Sequence, residues 1–371
     1  MKRVVINALQ YKQNSSGIGI LIRELFGRYA SLTFRDNLVI LPKDGPEFRS
    51  EDRTKQIRIP WSYQQSLKRM MFQTINLGMK YGKNSILLTT DSKMPFILPK
   101  SCILLPLITD LALFRMPEVY RLSRVMWWRL QYYYICRRAD LFLAISQFTK
   151  LEMQRILRIP EDKIHVVPCA ASDYYYPVRE PVQLYLIRKK YNLPERFLLF
   201  VGNQNPRKNM KRMLQAFDTV AQKIPHHLVI AGEQGWKFRS EDILKTLQNS
   251  RKIHFIGYVP DEDMPTLYSL SELFLFPSLY EGFGIPILEA QKCGVPVLAS
   301  RGSAMMEVGG KGAVYIDPYR VDSIKEGILH LIGNPEHAHE LARKGVKNAG
   351  RFSWDRSAQI LNDIIEREFS K

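Results

Sequence analysis

Two glutamates, Glu281 and Glu289, stand with seven residues between them in the densest chemical signal of the chain. The segment reads Pro277-Ser278-Leu279-Tyr280-Glu281-Gly282-Phe283-Gly284-Ile285-Pro286-Ile287-Leu288-Glu289-Ala290. An apolar strand pattern ends near Pro277. Gly282 and Gly284 permit tight backbone turns with exposed N–H groups. Pro286 suits the first residue of a helix. A helix start behind a glycine turn is a ready anion site. Carboxylates beside such a site make sense if they accept hydrogen bonds from sugar or ribose hydroxyls. The plainer alternative is a glycine turn whose acids only complement a helix dipole.

A second cluster is Phe200-Val201-Gly202-Asn203-Gln204-Asn205-Pro206-Arg207-Lys208-Asn209. Arg207 and Lys208 fall where a helix is expected to begin, and cations are disfavoured there by the dipole. Their position hints at an anionic ligand. Near the N-terminus, Asn14-Ser15-Ser16-Gly17-Ile18-Gly19 follows the first strand pattern and opens a helix. A lone G-x-G is weak by itself, and its place after strand one strengthens it. His337-x-His339 puts two imidazoles on different sides of a helix and lacks a further ligand, so it reads as solvated surface. No acidic metal dyad stands in a suitable context, and neither metal nor cofactor is expected.

Positioning these groups falls to alternating short apolar runs and amphipathic stretches. Strands are expected at 4–9, 86–90, 103–108, 141–145 and 166–168, then at 197–201, 228–231, 254–257, 273–276, 297–299 and 314–316. Helices are expected between most of them, as at 208–222. Buried strands alternating with helices predict parallel doubly wound sheets. The strands form two blocks, and 176–195, charged and with three Pro, reads as a linker. The simplest architecture is α/β, two Rossmann-like domains facing each other across a cleft, with ligands at the carboxyl ends of the strands.

Composition bounds the alternatives. The 371 residues are 46% hydrophobic and 24% charged, enough apolar material for a large core and against disorder. Four scattered Cys exclude a disulfide scaffold and fit a reducing cytoplasm. The N-terminal apolar run is too short for a secretory leader, and no uncharged stretch approaches a membrane span. Residues 1–185 hold 28 Lys and Arg against 15 Asp and Glu, a net +13 of the chain's +18. That field suits nucleic acid, anionic lipid or phosphorylated substrates. Tyr and Trp cluster in the same half. The stretch 61–83 spaces Leu67, Met70, Met71, Ile75 and Met79 as a helix among Lys68, Arg69, Lys80 and Lys83. It reads equally as a core-facing helix or as one lying on a membrane surface. Residues 121–138 are a second candidate.

The glutamate segment closely resembles the signature of family 4 glycosyltransferases, retaining enzymes of the GT-B fold. The resemblance is strongest over 197–318 and weak over 41–84. It implies that Glu281 faces the donor sugar and that Glu289 binds the ribose. Backbone around Gly282, Phe283 and Gly284 would hold the diphosphate. The Gly202–Asn209 stretch is similar to the family's phosphate loop, so Lys208 and Arg207 would neutralise the leaving diphosphate, with Asn209 on the donor side. Where many relatives carry Arg after the glycine, this chain has Asn203. Gly17 and Gly19 would approach the donor phosphate from the N-terminal domain, and backbone at Tyr258, after Gly257, would recognise the base. The stretches 144–150 and 300–310 are similar too. A domain boundary near 178–179 follows, with a C-terminal helix at about 354–371 packing back on the first domain.

One departure stands out. Many relatives carry His-Asp after a mid-domain strand, and this chain has Thr109-Asp110. Asp110 would contact sugar or acceptor, or else cap a helix. Losing the His suggests a different sugar, such as a deoxysugar, or lower activity. The implied reaction is retaining transfer from a nucleotide-diphosphate sugar to a lipid-linked glycan acceptor in cell-surface polysaccharide synthesis. The enzyme would be cytoplasmic, peripheral on the inner face of a membrane. Front-face attack is implied, because the motifs offer no enzyme nucleophile. The rivals are an idle GT-B relative, a nucleotide-sugar epimerase, a glycan phosphorylase and a basic nucleic-acid binder. The last lacks any recognition motif to accompany its charge, and no nucleic-acid partner is expected.

Overall fold

Runs such as Ile86-Leu87-Leu88 and Phe197-Leu198-Leu199-Phe200 leave no polar face on a strand, so helices must cover both sides of the sheet that contains them. The computed structural model describes residues 1–12, 17–48, 53–62, 64–90, 95–235 and 240–369. These form two compact units. One is Met1–Cys169 with Ser353–Lys371, and the other is Ala170–Phe352.

Among the described residues, the first unit holds a seven-stranded parallel sheet in the order β3-β2-β1-β4-β5-β6-β7. Its strands are β1 (Arg3–Asn7), β2 (Asn37–Leu41), β3 (Thr54–Arg58), β4 (Ser85–Thr90), β5 (Ile103–Ile108), β6 (Phe142–Ala144) and β7 (Ile164–Val166). The second unit holds six parallel strands in the order β10-β9-β8-β11-β12-β13. They are β8 (Phe197–Val201), β9 (His227–Ala231), β10 (Ile253–Gly257), β11 (Leu273–Phe276), β12 (Val297–Ser300) and β13 (Ala313–Ile316). Two of these strands, β2 and β3, lie outside the expected set. The whole of β2 is buried, whereas β3, Thr-Lys-Gln-Ile-Arg, is a half-exposed edge whose polar residues hide its pattern.

The second unit packs Met213, Leu214, Phe217 and Val220 of the helix Met210–Val220 against Leu198, Leu228 and Leu275 of the sheet. Its sheet grows outward in two directions from the β8–β11 pair. Beyond β8 come β9 and β10, and beyond β11 come β12 and β13. Loops leaving β8 and β11 therefore part to opposite sides and open a crevice at the carboxyl ends of those strands. In the first unit the equivalent switch lies between β1 and β4.

The stretch 176–195, expected as a linker, instead contains the helix Pro181–Lys190, which packs on the helix Met264–Leu270 of its own unit. The last helix, Trp354–Phe369, packs on the first unit. There Arg35, its side chain wholly buried, meets Glu366 through Nε at 2.6 Å and Nη2 at 3.0 Å. Ser357 Oγ donates to the Pro168 carbonyl at 2.6 Å. Among the described residues, no helix is long and apolar enough to cross a membrane.

Candidate active site

The crevice of the second unit is built by two loops that brace each other. After β8, Gly202 takes φ 142°, and a side chain there would meet Lys208 Cε at 3.4 Å. Pro206–Lys208 form one tight turn, and Asn209 follows at φ 59°, a left-handed conformation that Asn tolerates. The helix begins only at Met210. Arg207 and Lys208 thus sit ahead of it rather than in its first turn, and the dipole opposes them less than the sequence implied. Asn209 Nδ2 donates to the Pro277 carbonyl at 3.0 Å and the Pro318 carbonyl at 2.7 Å. Its Oδ1 accepts from Arg212 at 3.1 Å. This buried amide fastens the β8 loop to the end of β11.

Glu281 arrives from the β11 loop and lies between the two cations. Lys208 Nζ donates to Oε1 at 2.7 Å, and Arg207 Nη1 to Oε2 at 2.9 Å. Arg207 Nη1 also donates to the Tyr280 carbonyl at 2.9 Å, and the Lys208 ammonium sits 4.5 Å from the centre of the Phe276 ring. Burial alone would raise the Glu281 carboxyl, but Arg207 and Lys208 more than offset this and hold it below the usual range. The Glu281 N–H donates to Ser303 Oγ at 3.2 Å, and its carbonyl accepts from the Ala304 N–H at 3.3 Å. The segment after β12 therefore fixes the backbone of this residue.

Gly284, at φ 111°, is the residue before the helix Ile285–Lys292. Only this glycine of the pair needs left-handed backbone. Pro286 is the second helical residue, one place later than expected. Phe283 turns its ring inward, edge-on to Phe352 at 5.6 Å. Glu289 lies one turn into the helix and is buried. Burial raises its carboxyl to about 7, although Tyr268 and Tyr175 donate to it and pull the other way. The Tyr268 hydroxyl donates to Oε2 at 2.8 Å. Tyr268, Tyr175 and Ser303 were missed. Only the fold brings them to these carboxylates, and no spacing in the sequence marks them. Tyr258 follows Gly257 (φ 71°) at the end of β10 and is half exposed.

In the first unit, Gly17 takes φ 57° ahead of the short helix Ile18–Leu21, where Gly19 is buried. Asn14, Ser15 and Ser16 of that loop lie outside the described residues. Asp110, after β5, accepts the Ala112 N–H on Oδ1 at 2.9 Å at the start of the helix Ala112–Arg115. This i to i+2 contact is an Asx turn one residue ahead of the N-cap position, Leu111, which has no side-chain cap. Among the described residues, no group of three His, Cys, Asp or Glu is arranged to hold a metal ion.

Comparisons with known proteins bear on this arrangement. Residues 186–348 match the family described as "Glycosyl transferases group 1", and residues 111–172 match "Glycosyltransferase Family 4". The chain is 34% identical over 261 residues to O-antigen chain mannosyltransferase B of Escherichia coli, covering 68% of each protein. It is 28% identical over 240 residues to the serotype-specific mannosyltransferase WbdA of Escherichia coli, covering 62% of this chain but 29% of that longer protein. Among solved structures, Anabaena Alr3699/HepE in complex with UDP and glucose superposes with a TM-score of 0.75 at 17% identity, over 99% of this chain and 100% of that one.

Proposed function

The chain belongs to the family 4 glycosyltransferases, and from that premise we propose that it moves a hexose with retention from a nucleoside-diphosphate sugar onto a lipid-linked glycan. Its two doubly wound units have the GT-B fold, and it is a glycosyltransferase. The observation that carries the finer reading is Glu281 held between Lys208 and Arg207 at the switch point of the second sheet. Two cations at one point are what a departing diphosphate requires.

In the proposed step the donor's C1–O bond breaks and its electron pair goes to the β-phosphate oxygen. The acceptor hydroxyl adds to the same face of C1, and its proton passes to that departing oxygen. Lys208, Arg207 and the N–H groups at the start of the helix Ile285–Lys292 stabilise the growing negative charge. Fixed donors of this kind are worth about 3–4 kcal/mol each. Glu281 is already engaged by two cations, which suits it to orient a sugar hydroxyl rather than to attack carbon. Glu289 accepts from ribose hydroxyls, Gly282, Phe283 and Gly284 offer backbone to the diphosphate, and the backbone at Tyr258 borders the base. No metal or cofactor enters the step.

The related mannosyltransferases make mannose the first sugar to test, and O-antigen synthesis by such a relative favours a cell-surface polysaccharide as product. A nucleotide donor and a lipid-borne acceptor together assign the work to the cytoplasmic face of a membrane. The test is incubation with nucleoside-diphosphate mannose and a lipid-linked oligosaccharide, with the product's anomeric configuration read by NMR. Retention at C1 with no sugar–protein adduct is expected. An inverted product, or a stable glycosyl ester on a carboxylate, would overturn the mechanism.

A further inference from the structure

Backbone conformation singles out one residue beside Glu281. Among the described residues, five other than glycine take a left-handed φ, namely Asn84, Arg158, Asn192, Asn209 and Ser303. Asparagine tolerates that conformation, and Arg158 closes the helix Gln147–Leu157, where a left-handed residue is common. Ser303, at φ 47°, has neither reason. Glycine adopts such backbone without steric cost, and Gly302 beside it does so at φ 109° with open space around it. A serine held in a glycine's conformation points to a task for its hydroxyl.

That hydroxyl accepts the Glu281 N–H at 3.2 Å, and the next residue, Ala304, donates its own N–H to the Glu281 carbonyl at 3.3 Å. Two consecutive residues after β12 thus hold both backbone polar groups of Glu281. The loop that holds them is itself fastened at both ends. The Arg301 N–H donates to the Ile316 carbonyl of β13 at 2.6 Å. Ala304 precedes the helix Met305–Gly309, and its carbonyl accepts the Val308 N–H at 3.0 Å. Glu281 needs such a hold, because Gly282 follows it and a glycine gives the chain its widest freedom.

We propose that Ser303 is a positioning residue for Glu281, kept in left-handed backbone so that its hydroxyl pins the Glu281 N–H. The proposal rests on the donor reading and deepens it. A diphosphate that takes up Lys208 and Arg207 displaces the Glu281 carboxylate from both. With the backbone pinned, that displacement is a side-chain rotation about a fixed point, and the carboxylate arrives at one place beside the donor sugar. Without the hydroxyl the backbone turns as well and the carboxylate is spread over several positions. Misplacing a group of this kind costs rate.

Two substitutions at Ser303 and one at Glu281 test this, each read by thermal unfolding, by affinity for UDP and GDP, and by turnover. Ser303→Gly relieves the backbone and removes the hydroxyl. Its midpoint should hold while kcat falls about fivefold, the worth of one hydrogen bond, with nucleotide affinity unchanged. Ser303→Thr keeps the hydroxyl but sets a β-branched residue in left-handed backbone, so its midpoint should fall while kcat holds. In a Glu281→Ala background there is no carboxylate to aim, and Ser303→Gly should cost nothing further. Turnover that follows the midpoint, with Ser303→Gly active and Ser303→Thr impaired, overturns the proposal. So does an equal loss from Ser303→Gly with and without the Glu281 carboxylate, and this comparison decides alone if Ser303→Thr fails to fold. Nucleotide binding by the wild type separates the two readings. If UDP or GDP binds and either overturning result appears, the role of Ser303 is wrong and the donor site stands. If neither nucleotide binds, the donor reading is wrong and the role of Ser303 falls with it.

Discussion

At the scale of single residues, Glu281 occupies the cations that a diphosphate would need. Donor binding must therefore share or displace this internal carboxylate. Glu281→Gln should bind a nucleoside diphosphate more tightly than the wild type and yet lose at least tenfold in transfer. Calorimetric titration beside a turnover assay reads both, and weaker binding with normal turnover would contradict the assignment. Glu289 supplies a pH dependence. Its carboxyl, raised to about 7 in the folded chain, holds its proton more tightly there than when unfolded. The stability this contributes is full below the ordinary carboxylate range and is lost as pH climbs through 7. Between pH 5 and 8 the wild type should lose about 3 kcal/mol relative to Glu289→Gln. Over the same range nucleotide affinity should rise in the wild type, as an ionised acceptor forms for ribose hydroxyls, and stay flat in the variant. The carboxylates and cations were legible in the sequence because glycine, proline and charge recur around them. Tyr268 and Ser303 were not, because their contacts cross 21 and 22 residues and depend on how two elements pack.

At the scale of elements, Asn209 holds two loops together from a left-handed backbone. Asn209→Ala removes donors from two carbonyls in the interior, a loss of about 1–3 kcal/mol, and should loosen Lys208 enough to weaken nucleotide binding. Thermal unfolding with and without nucleoside diphosphate checks it. The last helix makes a separate prediction. Trp354 is among the largest fully buried side chains, so Trp354→Ala should cost about 3–5 kcal/mol, read by denaturant unfolding. All eleven strands expected from apolar runs are present, each within two residues at either end. The two that escaped notice fail in different ways. The charged edge β3 shows no apolar pattern, while the apolar β2 sits in a stretch dominated by Arg, Asp and Pro. A helix was hidden in 176–195 because its sequence, Pro-Val-Gln-Leu-Tyr-Leu-Ile-Arg-Lys-Lys, opens with proline, which starts helices as readily as it ends them.

At the scale of the whole molecule, the two parallel sheets follow from strands with no polar face, and the site follows from where the order of the second sheet reverses. The excess of positive charge in residues 1–185 accompanies exposed apolar rows rather than a nucleic-acid motif. What sequence spacing left open, core or surface for Leu67, Met71, Ile75 and Met79, was decided by which side of the helix met the sheet. The most direct measurement of the central claim is thermal unfolding of the wild type and Lys208→Met against UDP, GDP, dTDP, ADP and CMP. A ligand at 100 times its dissociation constant adds about 2.7 kcal/mol to the folded state. A raised midpoint with at least one nucleoside diphosphate, lost in Lys208→Met, is the predicted result. A shift that survives in Lys208→Met, or no shift across the panel, would contradict the donor site described here.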